Sequence, residues 1–370
     1  MVPYYPTEVI DIHMYNIPEM KVQPLKRISP SKYFAIQSCL LRELWAGNNE
    51  IPKLLPLSPT VRVGTVVHNV LEQAVKGKVQ SINDATCVWN EQISVIEAEM
   101  KENWIERHLV PISKYARQYE VKKQKCMFMV ESFLNNWPRQ SRRNTNFEAE
   151  VWLDTPDGKV GGRIDAVRVS DDWIEIIDYK TGNIFETCTQ EQNIKQEYQQ
   201  QLKLYAALFY AKRGVWPSKL TIVALNQKGY DILFNKDECL RLLNDAKQKL
   251  SQINGMITST SDAESFAQPS TEVCRYCLYR PACKAYWKAR TNTGEWPADF
   301  HGKVIDKKLQ GNGLITIFLQ SEHEKAIIRG LSPVRHPFLL SNIDSLYVCN
   351  LSRDTIPNYF EQDLLTTCYL

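Results

Sequence analysis

Helical and strand patterns alternate along this 370-residue chain and then give way to short strands alone. That order predicts an α/β fold: a mixed sheet flanked by helices, carrying a helical insertion and followed by a small C-terminal β-barrel. Three observations support it. Apolar residues at helical spacing bracket β-branched runs in the order helix, strands, helix, strand, helix. Residues 84–143 carry helical patterns only, and beyond residue 300 five short alternating runs are separated by Gly, Asn and Ser.

The length leaves room for two domains and a substantial core. Hydrophobic residues at 44% and charged residues at 24% are ordinary for a soluble globular protein. A net charge of +3 excludes a histone-like global attraction to polyanions, so nucleic acid would have to be met by local patches. No apolar run reaches membrane-spanning length, and the first residues, with Pro3, Pro6, Glu8 and Asp11, lack a basic-then-apolar signal pattern. An intracellular protein without a membrane partner is expected. Ten cysteines would be kept mostly reduced there, and clustered ones read as metal ligands rather than disulfides.

Residues 1–28 show no clear period and read as an irregular arm or a short strand. Ser29-Pro30-Ser31 opens a helix with Tyr33, Ile36, Leu40 and Leu44 at helical spacing, and Cys39 within it has the ordinary reading of a core cysteine. After Pro52, Pro56 and Pro59, a helix over residues 60–76 puts Gly64, Val67, His68, Leu71 and Val75 on one stripe, which directs His68 inward. A lone histidine there is usually a satisfied core residue. Residues 84–137 give two or three more helices interrupted at Pro111. Lys122, Lys123, Lys125, Arg139, Arg142 and Arg143 make their end basic, either as a solvated face or as a phosphate contact.

Residues 147–153 alternate as a strand that feeds a hairpin: one strand over 160–169, a turn at Ser170-Asp171-Asp172, and a second strand over 173–180. Alternation puts Asp178 and Lys180 on one face, with Asp165 carried alongside. Two carboxylates and an ammonium then meet at a strand end, which suits holding Mg²⁺ and a water near a phosphate. An isolated Asp-x-Lys would more simply be a surface salt bridge. Residues 191–213 form an amphipathic helix with Gln201 and Tyr205 on one face, a pair that by itself implies no function. A strand over 220–226 and a helix over 236–257 complete the core, with Cys239, Leu242, Leu243, Ala246, Leu250 and Ile253 inward.

A polar linker over 258–271 leads to Cys274, Cys277 and Cys283. Three thiols in one turn-rich stretch can face a common centre; with a fourth, either zinc or a cubane iron-sulfur cluster would be held, and spacing does not separate the two. The runs at 303–309, 314–320, 325–330, 345–351 and 366–370, with a Gly311-Asn312-Gly313 turn and one long connection over 331–344, suit a barrel of oligonucleotide-binding type or else a β-rich cap.

Together these segments resemble the RecB-type branch of the PD-(D/E)xK nuclease superfamily, in particular its iron-sulfur members, which include AddB-like proteins and the CRISPR adaptation exonucleases. The resemblance covers about residues 29–285, with 84–143 as an insertion. Ser-x-Ser and an early Cys fall on Ser29, Ser31 and Cys39; Gly-x-x-x-His on Gly64 and His68; Gly-x-Ile-Asp on Gly162 and Asp165. Asp-Tyr-Lys-Thr-Gly falls on Asp178 to Gly182, Gln-x-x-x-Tyr on Gln201 and Tyr205, and Cys-x₂-Cys-x₅-Cys on Cys274, Cys277 and Cys283. Their order replaces the ordinary readings of His68, Cys39 and Gln201.

The resemblance implies a nuclease domain with a restriction-endonuclease-like sheet over 29–290; the arm over 1–28 and the barrel over 295–370 lie beyond it and rest on the sequence pattern alone. It implies that His68, Asp165, Asp178 and the Tyr179 carbonyl hold Mg²⁺ or Mn²⁺, that Lys180 serves the attacking water, and that Gln201 and Tyr205 support the site or touch DNA. Cys39, Cys274, Cys277 and Cys283 would hold a [4Fe-4S] cluster. A further acid, Glu148 or Glu150, has no settled role. The activity implied is a DNA nuclease, directed at single strands or ends as an exonuclease. The alternatives are a structure-specific endonuclease within a larger complex and a non-catalytic DNA-binding scaffold. No Gly-x-x-x-x-Gly-Lys-Ser/Thr run occurs, so a helicase motor would come from a partner.

Overall fold

The computed structural model describes residues 12–140, 146–171, 173–186, 193–260, 262–322 and 324–370. Asp172 and the first part of the expected arm lie outside them, as do the side chains of Arg139, Arg142 and Arg143.

The helix expected across Cys39 is two helices, α1 (Pro30–Ser38) and α2 (Leu40–Gly47). Cys39 between them is extended, at φ −161° and ψ 104°. The side chains of Gln37 and Ser38 bond back to the carbonyls of Tyr33 and Phe34, competing with the helix ladder where it ends. The consequence is a thiol placed at a break. Four more helices follow: α3 (Pro59–Val75), α4 (Ile82–Glu102), α5 (Ile112–Tyr115) and α6 (Tyr119–Gln140). Ser81 caps α4 by accepting from the Asp84 amide. These helices bury a core of their own around Val66, Val70, Trp89, Met100 and Val130, and Tyr179 and Val223 of the sheet pack against it.

The sheet has five strands in chain order, β1 (Asn146–Asp154), β2 (Gly161–Val169), β3 (Ile174–Lys180), β4 (Lys219–Ala224) and β5 (Gly229–Asp231). Pairings are antiparallel except β3 with β4. That parallel pair needs a crossover, supplied by α7 (Gln196–Arg213). Leu202, Leu204, Ala206, Leu208 and Phe209 of α7 are fully buried among the sheet, α1 and α8 (Lys236–Ser259). The expected mixed sheet flanked by helices is therefore present.

The expected polar linker after α8 is half-buried or exposed over its described residues except at one point. Ala263–Phe266 forms a 3₁₀ turn that buries Phe266 against the main core. The short α9 (Thr271–Arg275) and α10 (Lys284–Ala289) lead the chain past the clustered cysteines, which stay in the main core, to the barrel.

Five strands close that barrel: β6 (Phe300–Leu309), β7 (Ile315–Gln320), β8 (Lys325–Leu331), β9 (Ser345–Arg353) and β10 (Tyr359–Tyr369). Their order is β10-β8-β7-β6-β9, with β8 and β10 parallel. The last strand begins earlier than the sequence pattern suggests, because a register shift between Gln362 and Thr367 breaks its alternation. Among the described residues no helix is long and apolar enough to cross a membrane.

Candidate active site

The β2–β3 ladder runs from Val169↔Ile174 to Ala166↔Ile177 and stops there. At the next position the Asp165 carboxylate accepts the Tyr179 amide at 2.8 Å, replacing a main-chain bond with a side chain at the strand end. Asp178 lies 2.6 Å from the Lys180 ammonium. Gln201, from α7, donates to the other Asp178 oxygen at 3.0 Å and accepts from Lys180 at 3.2 Å. Asp178, Lys180 and Gln201 thus form a closed triangle. One helical turn on, the Tyr205 hydroxyl donates to the Arg163 carbonyl at 2.7 Å, anchoring β2 from behind.

His68 approaches from α3, its Nδ1 3.8 Å from Asp165 Oδ2. It stands half-buried at the edge of the apolar stripe and faces the carboxylates.

Two motif glycines let these elements close together. A Cβ on Gly162 would stand 2.8 Å from the Pro30 ring and 3.2 Å from the Tyr205 hydroxyl. One on Gly64 would stand 2.9 Å from the Thr181 hydroxyl. Gly162 thus admits α1 and α7 against β2, and Gly64 admits the residue after Lys180 against α3.

Charge crowds at Asp165. Burial, and then the neighbouring Asp178 carboxylate, push its pKa up to about 7, while the Tyr179 amide and Lys180 oppose the rise and Glu150 adds to it. Burial lowers the pKa of His68, which favours the neutral imidazole that serves as a metal ligand.

Of the two further acids, the structure separates one from the other. Glu150 stands opposite Asp165, between the pairs Ala149↔Ala166 and Val151↔Ile164, and bonds Arg163 at 3.2 Å. Its φ of +54° is a strained value for a strand residue. Glu148 instead pairs with Arg213 of α7, 2.9 Å away. Counting register along the β1–β2 hairpin could have singled out Glu150. The Tyr198 ring, 4.8 Å from the Lys180 ammonium, carried no such signal.

Cys39, Cys274, Cys277 and Cys283 are all buried and line one small cavity with Trp45 and Arg280. Burial pushes the Cys274 thiol up, and likewise Cys277, to about 11, and Cys283, to about 12. The Cys283 sulfur also accepts the Tyr286 amide at 3.3 Å. Among the described residues, no group of three or more His, Cys, Asp or Glu side chains closes on a point as a metal ion requires, either here or at the carboxylates.

A profile of the PD-(D/E)XK nuclease superfamily matches residues 27–284. The chain belongs to this superfamily. The match spans every motif from α1 to the third clustered cysteine and ends before the barrel. No curated protein matches the chain. Among solved structures it is similar to one titled "Crystal structure of SSO0001", at 15% identity and a TM-score of 0.22, over 52% of this chain and 97% of that one. Superfamily membership implies a nuclease hydrolase acting on DNA, with divalent metals as the usual cofactors.

Proposed function

We propose that this nuclease is a Mg²⁺- or Mn²⁺-dependent deoxyribonuclease directed at single strands or ends, working as an exonuclease. The observation that carries the reading is the meeting of Asp165, Asp178, Lys180 and His68 at one strand end. Two carboxylates, an imidazole and the Tyr179 carbonyl are a donor set that fits a hard cation, and the like charge crowded at Asp165 is what such a cation would offset. When bound, it supplies a water acidic enough to attack at neutral pH and neutralises charge on the phosphate. Lys180, held between Asp178 and Gln201, orients or deprotonates the attacking water. Gln201 fixes both partners, Tyr205 holds β2 in place, and Glu150 is the additional acid.

The four thiols are assigned to a [4Fe-4S] cluster, with zinc as the alternative occupant. They face one cavity from opposite ends of the superfamily match, so ligation closes a long loop, and uptake must displace the protons that burial favours. The barrel is assigned to gripping the strand, and any strand separation to a partner protein.

End-labelled linear and circular single-stranded DNA incubated with Mg²⁺ or Mn²⁺ tests the reading. Linear strands should be degraded and circles should resist. Rapid cutting of circles would replace exonuclease with endonuclease action, and inertness towards both would overturn the nuclease reading.

A further inference from the structure

A second cleft, of about 250 Å³, opens beside the end of the catalytic strand. Thr181, Gly182 and Asn183, which directly follow Lys180, line it together with Lys122 and Lys125 from the first turns of α6. The cleft therefore joins the helical insertion to the loop that leaves the site.

Among the described residues its lining carries two ammonium groups and no carboxylate. Lys122 reaches the Thr60 carbonyl at 3.3 Å, and neither lysine pairs with an acid among the described residues. Several other cations on or beside the sheet are matched: Lys212 of α7 with Asp154, Arg168 with Glu175, Lys219 with Asp231. Lys122 is also partly buried, which disfavours its charge unless an anion arrives. An added Cβ on Gly182 would meet nothing within 4 Å, so the main chain there stands open to an approaching group. The volume is small for a whole nucleotide and ample for a phosphate with part of its sugar.

Unmatched cations, side-chain amides and a hydroxyl in one cleft with no acid among its described residues suit a phosphodiester anion, and continuity with Lys180 points to the one beside the reacting phosphate. We propose that the cleft between α6 and the loop after Lys180 binds the sugar-phosphate backbone adjacent to the reacting phosphate, with Lys122 and Lys125 together neutralising the phosphate it admits. This rests on the nuclease reading for the identity of the strand but concerns binding rather than cleavage. The helical insertion then supplies one side of the strand's path, through contacts that are blind to sequence.

The test is the affinity of the full chain for a fluorescent single-stranded oligonucleotide, read by anisotropy in Ca²⁺ at several KCl concentrations. The double variant Lys122→Gln/Lys125→Gln should raise Kd about tenfold and flatten the salt dependence, since each phosphate contact on a single strand contributes a slope of about 0.7. Lys101→Gln/Lys114→Gln, the same charge change on exposed lysines outside the cleft, should leave both unchanged. Wild-type affinity and slope in the cleft variant, equal weakening in the control variant, or no binding by the wild-type chain would each overturn the proposal. Cleavage is scored separately in Mg²⁺: binding that depends on the cleft without any cleavage would refute the nuclease reading and leave the cleft standing.

Discussion

At Asp165 two demands meet: its carboxylate holds the Tyr179 amide where the β2–β3 ladder ends, and it sits among the like charges of Asp178 and Glu150. The first fixes the shape of the strand end, and the second makes a cation welcome there. Glu150 reaches this position only through a strained backbone angle, whereas Glu148, two residues earlier, is tied to Arg213. Glu150→Gln should therefore lower metal affinity or cleavage rate by roughly 10–100-fold, as loss of a supporting acid does, while Glu148→Gln should leave both near wild type. Titrating cleavage against Mn²⁺ in the two variants checks this; equal losses would remove Glu150 from the site.

Between residue and domain, the segment from α9 to α10 carries the most connections. Arg280 is fully buried and bonds Asp299 at 2.6 Å, while Asp299 also accepts from the Tyr286 hydroxyl and the Asn350 amide. Arg280 reaches the Cys277 carbonyl as well, so one polar network spans the thiol cavity and the barrel. Cys277→Ser should bleach a brown chromophore, lower iron content and reduce solubility; a colourless wild-type protein containing zinc would remove the cluster. At this scale the sequence was legible wherever a period or a motif was local. Alternation placed Asp178 with Lys180, helical spacing placed Gln201 with Tyr205, and the Gly-Asn-Gly turn marked the first hairpin of the barrel. What it did not disclose depends on partners far along the chain: the helix break that frees Cys39, the burial of Phe266, and the backbone angle that aims Glu150. Gly64 and Gly162 belong to both groups, since the motifs name them but only Thr181, Pro30 and Tyr205 explain them.

Over the whole molecule, the helical insertion packs on the sheet and also touches the barrel. His108 bonds the Leu364 carbonyl at 2.8 Å, and Trp104 stacks edge-on against Tyr369. Burial pushes His108 down to about 4 and, with Arg335 and His108 adding to the effect, His336 to about 3. Both folded values lie below the unfolded value near 6.5, so the unfolded chain binds more protons as pH falls and acidification costs stability, by up to about 1.4 kcal/mol per pH unit for the buried His336 and by less for the more exposed His108. Asp165, with its raised pKa, works in the opposite sense in the metal-free chain. Urea unfolding of His336→Gln against wild type between pH 7 and 4.5 isolates the histidine: the variant should lose less stability on acidification, and parallel curves would contradict the assignment.

Cleavage of end-labelled single-stranded DNA by Asp178→Ala and by Lys180→Ala, each compared with wild type in Mg²⁺ and Mn²⁺ and each checked for folding by thermal denaturation, addresses the catalytic centre most directly. Both variants should fold and neither should cut. Folded variants that cut at the wild-type rate would show that hydrolysis takes place somewhere other than the end of β3.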